Sequence, residues 1–126
     1  MIPYDLSFVP PAPALTVGVS TVHRPEQKLD VLALLDTAAD LSVLPNTLVD
    51  ELELAPVGET MVAGFEDRTV PASVYVVAVH IAGARLYPAR VVTHLAKYAL
   101  LGRNVLNSLF VRLDGPNLQF EVKATR

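Results

Sequence analysis

The chain has 126 residues, a net charge of −3, 52% hydrophobic residues and only 18% charged ones, which suits one compact domain and leaves little room for two. The absence of cysteine excludes disulfides, thiolate metal sites and cysteine nucleophiles. The negative charge, with no run of basic residues, argues against a nucleic-acid partner.

The apolar content is high for a lone domain of this size and points to an apolar face covered by a partner. No apolar run approaches the roughly 18 to 20 residues that a membrane helix needs, so no membrane span is expected. Met1-Ile2-Pro3-Tyr4-Asp5 lacks the basic start and apolar core of a signal peptide, so a cytoplasmic location is expected.

Residues 1–13 carry Pro3, Pro10, Pro11 and Pro13 and read as an extended, non-helical arm ahead of a domain over 14–126. Such an arm is either frayed or packed on a partner subunit. Leu15 to Val22 alternates apolar and small polar residues, as a half-buried strand does. His23 to Lys28 is a charged turn, and Leu29 to Leu35 returns as an aliphatic strand predicted to be fully buried. That strand ends abruptly in Asp36, an acid whose burial is costly unless it is hydrogen-bonded, paired or half-protonated.

Pro45 to Leu52 reads as a short helix with proline near its first turn. Val57 to Ala63 and the β-branched run Thr69 to Ile81 form a hairpin with Gly64-Phe65-Glu66-Asp67-Arg68 as its tip. After the Gly83-Ala84 turn, Arg85 to Val92 runs back, and Thr93 to Tyr98 is a loop. Leu100-Leu101-Gly102 is a second buried strand end, and Arg103 to Leu109 has helical spacing with Val105, Leu106 and Leu109 on one face. A last hairpin turns at Asp114-Gly115-Pro116-Asn117. Many short strands with one or two short helices predict an all-β barrel or sandwich.

Three constellations carry possible chemistry. Asp36-Thr37-Ala38 places an acid before two small residues, where a backbone and a partner acid can approach closely. A carboxylate can activate water, and a carboxylic acid can donate to a carbonyl oxygen. Peptide hydrolysis needs both at once, and two close carboxylates sharing one proton supply them. Leu100-Leu101-Gly102 ahead of a helix puts a residue without a β-carbon where two backbones can meet. Gly64 to Arg68 can close over a substrate as a lid. Taken singly, each has an ordinary structural reading: a turn acid, a strand-to-helix turn, an exposed hairpin.

Taken together and in this order, "LALLDTAADLSVLP", a flap-like hairpin and "ALLGRNVL" resemble the retroviral-type (retropepsin-like) aspartic proteases, over roughly Leu15 to Val122. The resemblance implies a closed barrel of the acid-protease type with half a site per chain. It implies an aspartic endopeptidase working as a symmetric homodimer on a peptide or protein substrate, with no cofactor and no metal. By position, Asp36 would be the catalytic acid and Thr37 would interlock the two loops. Ala38 stands where the family usually has glycine, and alanine fits there if the backbone keeps a negative φ. Ala39, Asp40, Gly64 and Phe65 would bind substrate. Gly102, Arg103 and Asn104 would support the site, with Arg103 paired to Asp40. The sequence has one such acid motif, so a second copy would have to supply the other carboxylate.

The rival reading is a weak or inactive module of the same fold that binds peptide or dimerises. His23, His80 and His94 show no metal-ligand spacing and read as surface or packing residues. Ser42 has no nearby base and is not expected to be a nucleophile.

Overall fold

The computed structural model describes residues 1–63 and 68–124. In chain order the elements are β1 (Ile2–Pro3), β2 (Ala14–Ser20), β3 (Leu29–Leu35), β4 (Ser42–Pro45), α1 (Thr47–Glu51), β5 (Gly58–Ala63), β6 (Thr69–Ile81), β7 (Ala84–His94), β8 (Ala99–Leu101), α2 (Arg103–Leu106), β9 (Phe110–Asp114) and β10 (Gln119–Lys123).

The main sheet runs β2-β3-β8-β4-β7-β6-β5, and β6 pairs back onto β2 through Gly18↔His80, Val19↔Val79 and Ser20↔Ala78. The six strands from β2 to β6 therefore close into a barrel, which leaves no free edge among them. The all-β expectation holds. Inside lie Val17, Val19, Ala33, Leu44, Val77, Val79, Val91, Leu101 and Val105. The β-branched run in β6 supplies much of this packing, because branched side chains fit a pleated, half-buried surface.

The strand before Asp36 is less enclosed than the sequence pattern predicts. Val31 and Ala33 are buried, but Leu32, Leu34 and Leu35 are half-buried. A barrel strand has an inside and an outside, so alternate residues of an apolar run face outward. Ser42–Pro45 forms a strand that the sequence pattern did not reveal, so the helix predicted from Pro45 starts only at Thr47. The helix predicted to reach Leu109 ends at Leu106, and β7 extends through His94 because Pro45↔His94 closes its pairing with β4.

Two connections set up the site. β8 lies between β3 and β4, parallel to β3 and antiparallel to β4. The segment 36–41 that joins β3 to β4 must therefore cross over the end of β8. β5 stands outside the closed ring and, among the described residues, pairs only with the first half of the long strand β6.

A three-stranded sheet, β1-β10-β9, packs the two termini together through Ile2↔Phe120 and Pro3↔Gln119. Phe120 is fully buried there and Tyr4 packs beside it. Farther along the N-terminal segment, the Leu35 amide donates to the Pro13 carbonyl at 3.0 Å. No helix among the described residues is long and apolar enough to cross a membrane.

Candidate active site

The crossing segment is knitted to the end of β8 and to α2 by backbone bonds. The Asp36 amide donates to the Leu101 carbonyl at 2.9 Å, the Arg103 amide to Ala39 O at 2.8 Å, and the Asn104 amide to Asp40 O at 3.3 Å. Gly102 sits beneath the crossing. A β-carbon there would lie 2.6 Å from Leu41 O, 2.7 Å from Leu41 C and 2.9 Å from Ala39 O. Its backbone is ordinary, at φ −83° and ψ −179°, so space rather than torsional freedom demands glycine.

Side chains reinforce the weave. The Arg103 guanidinium donates through Nη1 to the Thr37 carbonyl at 2.7 Å and through Nη2 to Asp40 Oδ1. This fork ties both ends of the loop to one residue, a geometry that suits arginine and not lysine. Both partners of the Arg103–Asp40 pair are well exposed, so its Coulombic part is screened and its value lies in positioning.

Asp36 is half-buried, while Thr37 and Ala38 are exposed. The Ala38 amide donates to Asp36 Oδ1 at 3.1 Å, which fixes the carboxylate against its own turn. Among the described residues Oδ2 has no hydrogen-bond partner and is free to meet another group. Ala38 is not among the residues with positive φ, so its methyl group costs no backbone strain.

Asp36, Thr37, Ala38, Ala39, Asp40, Gly102, Arg103 and Asn104 thus gather at one place. Gly64 and Phe65, named from the sequence as flap residues, lie outside the described residues. Beside the loop, Ala38, Ala39, Asp40, Leu41, Val43 and Val92 face Thr60, Met61, Val62 and Ala63 of β5 across a groove of about 640 Å³. An open groove between a sheet edge and a rigid loop suits an extended chain with apolar side chains.

Sequence reasoning missed Ser42. It is fully buried, accepts from the Gly102 amide at 3.0 Å and donates to Asn104 Oδ1 at 3.0 Å. Asn104 Nδ2 in turn donates to the Arg90 carbonyl at 2.8 Å. The available signal was a lone hydroxyl on the inward face of a strand, two residues before buried Leu44, because buried polar groups need partners. Ser42→Ala should destabilise the fold by about 1–3 kcal/mol, the cost of an orphaned buried amide. Urea unfolding checks this, and Ser42→Thr should recover most of the loss.

A family model described as Aspartyl protease matches residues 21–105. No curated protein matches the sequence. Among solved structures, a retropepsin-like aspartic protease from Rickettsia conorii superposes with a TM-score of 0.60 at 18% identity, over 87% of this chain and 81% of that one. The simian foamy virus (mac) protease gives 0.58 at 15%, over 75% and 92%. The EIAV protease, complexed with the inhibitor HBY-793, gives 0.56 at 22%, over 76% and 86%. The barrel, its crossing segment and the matched span agree: this chain has the retropepsin-like fold and belongs to the aspartyl protease family.

Proposed function

We propose that the chain is one half of an aspartic endopeptidase and hydrolyses peptide bonds as a symmetric homodimer. One observation carries this reading. The chain offers a single Asp36 whose Oδ2 has no partner among the described residues, on the same loop whose Ala38, Ala39 and Asp40 line a groove suited to an extended peptide. One carboxylate cannot act as base and acid in the same step. A two-fold axis beside Asp36 supplies its copy, and like charges about 3 Å apart cannot both ionise, so the pair shares one proton.

In this mechanism the ionised carboxylate takes a proton from a water molecule held between the two acids. The oxygen of that water attacks the scissile carbonyl carbon, and the protonated carboxyl donates to the carbonyl oxygen. The tetrahedral diol then collapses: the acid that took the water proton gives it to the nitrogen, the C–N bond breaks, and the other carboxylate takes the proton of a diol hydroxyl, so the dyad again holds one proton. Thr37, exposed at the loop apex, interlocks the two loops. Ala39 and Asp40 bind the substrate backbone, and Gly64 and Phe65 cover it from the hairpin. Gly102, Arg103 and Asn104 hold the loop from below.

Concentration is the test. Specific activity on an unfolded protein substrate should rise with enzyme concentration in step with the dimer fraction measured by analytical ultracentrifugation. Activity that stays constant in a strict monomer would overturn the half-site reading. A stable dimer that cleaves nothing between acidic and neutral pH would favour a peptide-binding module.

A further inference from the structure

At the opposite end of the barrel, one basic side chain from the turn before β3 and two from the β6–β7 hairpin meet around a shallow cavity of about 300 Å³. Lys28, His80 and Arg85 border it, with Ile81, Ala82, Gly83 and Ala84 as the remaining wall. Lys28 precedes β3 and Asp36 follows it, so the length of a seven-residue strand separates them, roughly 20 Å at about 3.3 Å per residue.

The cluster is set by register. His80 pairs with Arg85 across the β6–β7 hairpin and with Gly18 across β2. Gly18 is buried, and a β-carbon there would lie 3.2 Å from Lys28 Cδ and 3.3 Å from His80 Cβ. The missing side chain is what lets the lysine stem lie alongside the imidazole. Arg85 is oriented by Tyr87, whose ring centroid lies 4.7 Å from the guanidinium carbon. Ser20, fully buried, meets His80 Nε2 at 2.9 Å. That leaves Nδ1 without a partner among the described residues.

Neither Lys28 nor Arg85 has a paired acid among the described residues. Among the described residues the ion pairs are Arg103–Asp40 and Lys123–Glu121. Asp30 shares the Gly18 face through its register but borders a different cavity. Glu51 and Glu53 border another, which Lys28 also reaches with His23 and Arg24. A chain of net charge −3 has set the charges of Lys28 and Arg85 beside a titratable imidazole, where repulsion opposes its protonation. An anion is the group that relieves such repulsion.

We propose that Lys28, His80 and Arg85 form a binding site for a phosphate-type oxyanion. Lys28 supplies a point charge, Arg85 a planar fork, and His80 a ring N–H donor once protonated. This inference does not depend on the protease reading.

The site has a built-in pH dependence. Burial first, then the charges of Lys28 and Arg85, hold His80 below its usual 6.5. In the unliganded protein its folded pKa lies below its unfolded one, so the unfolded state binds more protons there. Stability is therefore lost as pH falls below 6.5. A bound oxyanion favours the imidazolium, raises the folded pKa and offsets that loss.

The test is an NMR titration of the three histidine rings at constant ionic strength, with inorganic phosphate, sulfate and O-phosphoserine as probes. Sulfate keeps its charge across the range, and O-phosphoserine separates a phosphoryl group on a larger molecule from the free ion. A saturable upward shift of the His80 midpoint with any of them, absent from His23 and His94, is the expected result. Lys28→Ala and Arg85→Ala, both surface changes, should each weaken binding by about tenfold, as loss of one charge-assisted contact does. His80→Gln should bind sulfate with no pH dependence between 5 and 7. An equal, non-saturating shift of all three histidines, or unchanged affinity in Lys28→Ala and Arg85→Ala, would overturn the proposal.

Discussion

Asp36→Asn should abolish peptide hydrolysis, with a fall of about 10³-fold or more in kcat, because proton transfer by a positioned group contributes up to about 10⁴-fold. The substitution removes the charge and the exchangeable carboxyl proton but keeps the shape. An amide oxygen at the Oδ1 position still accepts from the Ala38 amide, which now meets the carboxylate at 3.1 Å. The loop's other bonds, from the Asp36 amide to Leu101 and from Arg103 to Ala39, do not involve the side chain. The melting temperature and the dimer fraction should therefore change little. A mixed population gives a sharper version of the test. If each active dimer needs two Asp36 carboxylates, adding excess Asp36→Asn chains to the native protein should draw native subunits into dead heterodimers. Activity should then fall below simple dilution. Cleavage retained by purified Asp36→Asn would remove this residue from the mechanism.

Gly102→Ala should be the most disruptive single change to the framework of the site. The three atoms that crowd the new β-carbon, at 2.6, 2.7 and 2.9 Å, all belong to backbone. They cannot rotate aside as a side chain would. Either the crossing segment lifts off β8 or α2 moves, and both routes break the bonds from Arg103 N to Ala39 O and from Gly102 N to Ser42 Oγ. Overpacking of this kind costs about 3 kcal/mol, which lowers the melting temperature of a domain of this size by roughly 10 °C. Hydrolysis should fall further than stability alone explains, since Asp36 rides on the displaced segment. Differential scanning calorimetry and activity measured well below the transition separate the two effects. A loss under about 0.5 kcal/mol, the range of ordinary surface substitutions, would mean that the crossing yields freely and does not hold Asp36 in place.

Gly18 and Gly102 make a similar point at opposite ends of the barrel. At neither does the chain need an unusual φ; at each it needs the room where a β-carbon would sit, under a crossing backbone at Gly102 and between two basic side chains at Gly18. By contrast Gly83 sits at φ +77° beside Ala82 at +53°, a turn that glycine makes cheaply.

Local patterning determined a good deal of this protein. The strand texture from Leu15 onward, the turn at Gly83, the acid at the end of β3 and the apolar-apolar-Gly step before α2 follow from residue types that fit a pleat, a turn or a close contact. These features, with the resemblance carried by "LLDTAAD" and "LLGRN", were enough to name a closed all-β barrel and its loop. Tertiary structure alone decided the rest. Ser42–Pro45 is too short and ends in a residue too suggestive of a helix start to read as a strand. It becomes one because β7 and β8 offer it partners on both sides. Ser42 looked like an idle hydroxyl until the chain placed Gly102 N and Asn104 beside it. Lys28 is far in the sequence from His80 and Arg85, and the three form no basic run, yet closure of β2 onto β6 sets them around one cavity. The physical reason is common to all three. Periodicity reports which way one strand faces, whereas a hydrogen bond or a charge cluster depends on which strand lies next to it, and only closure of the barrel settles that.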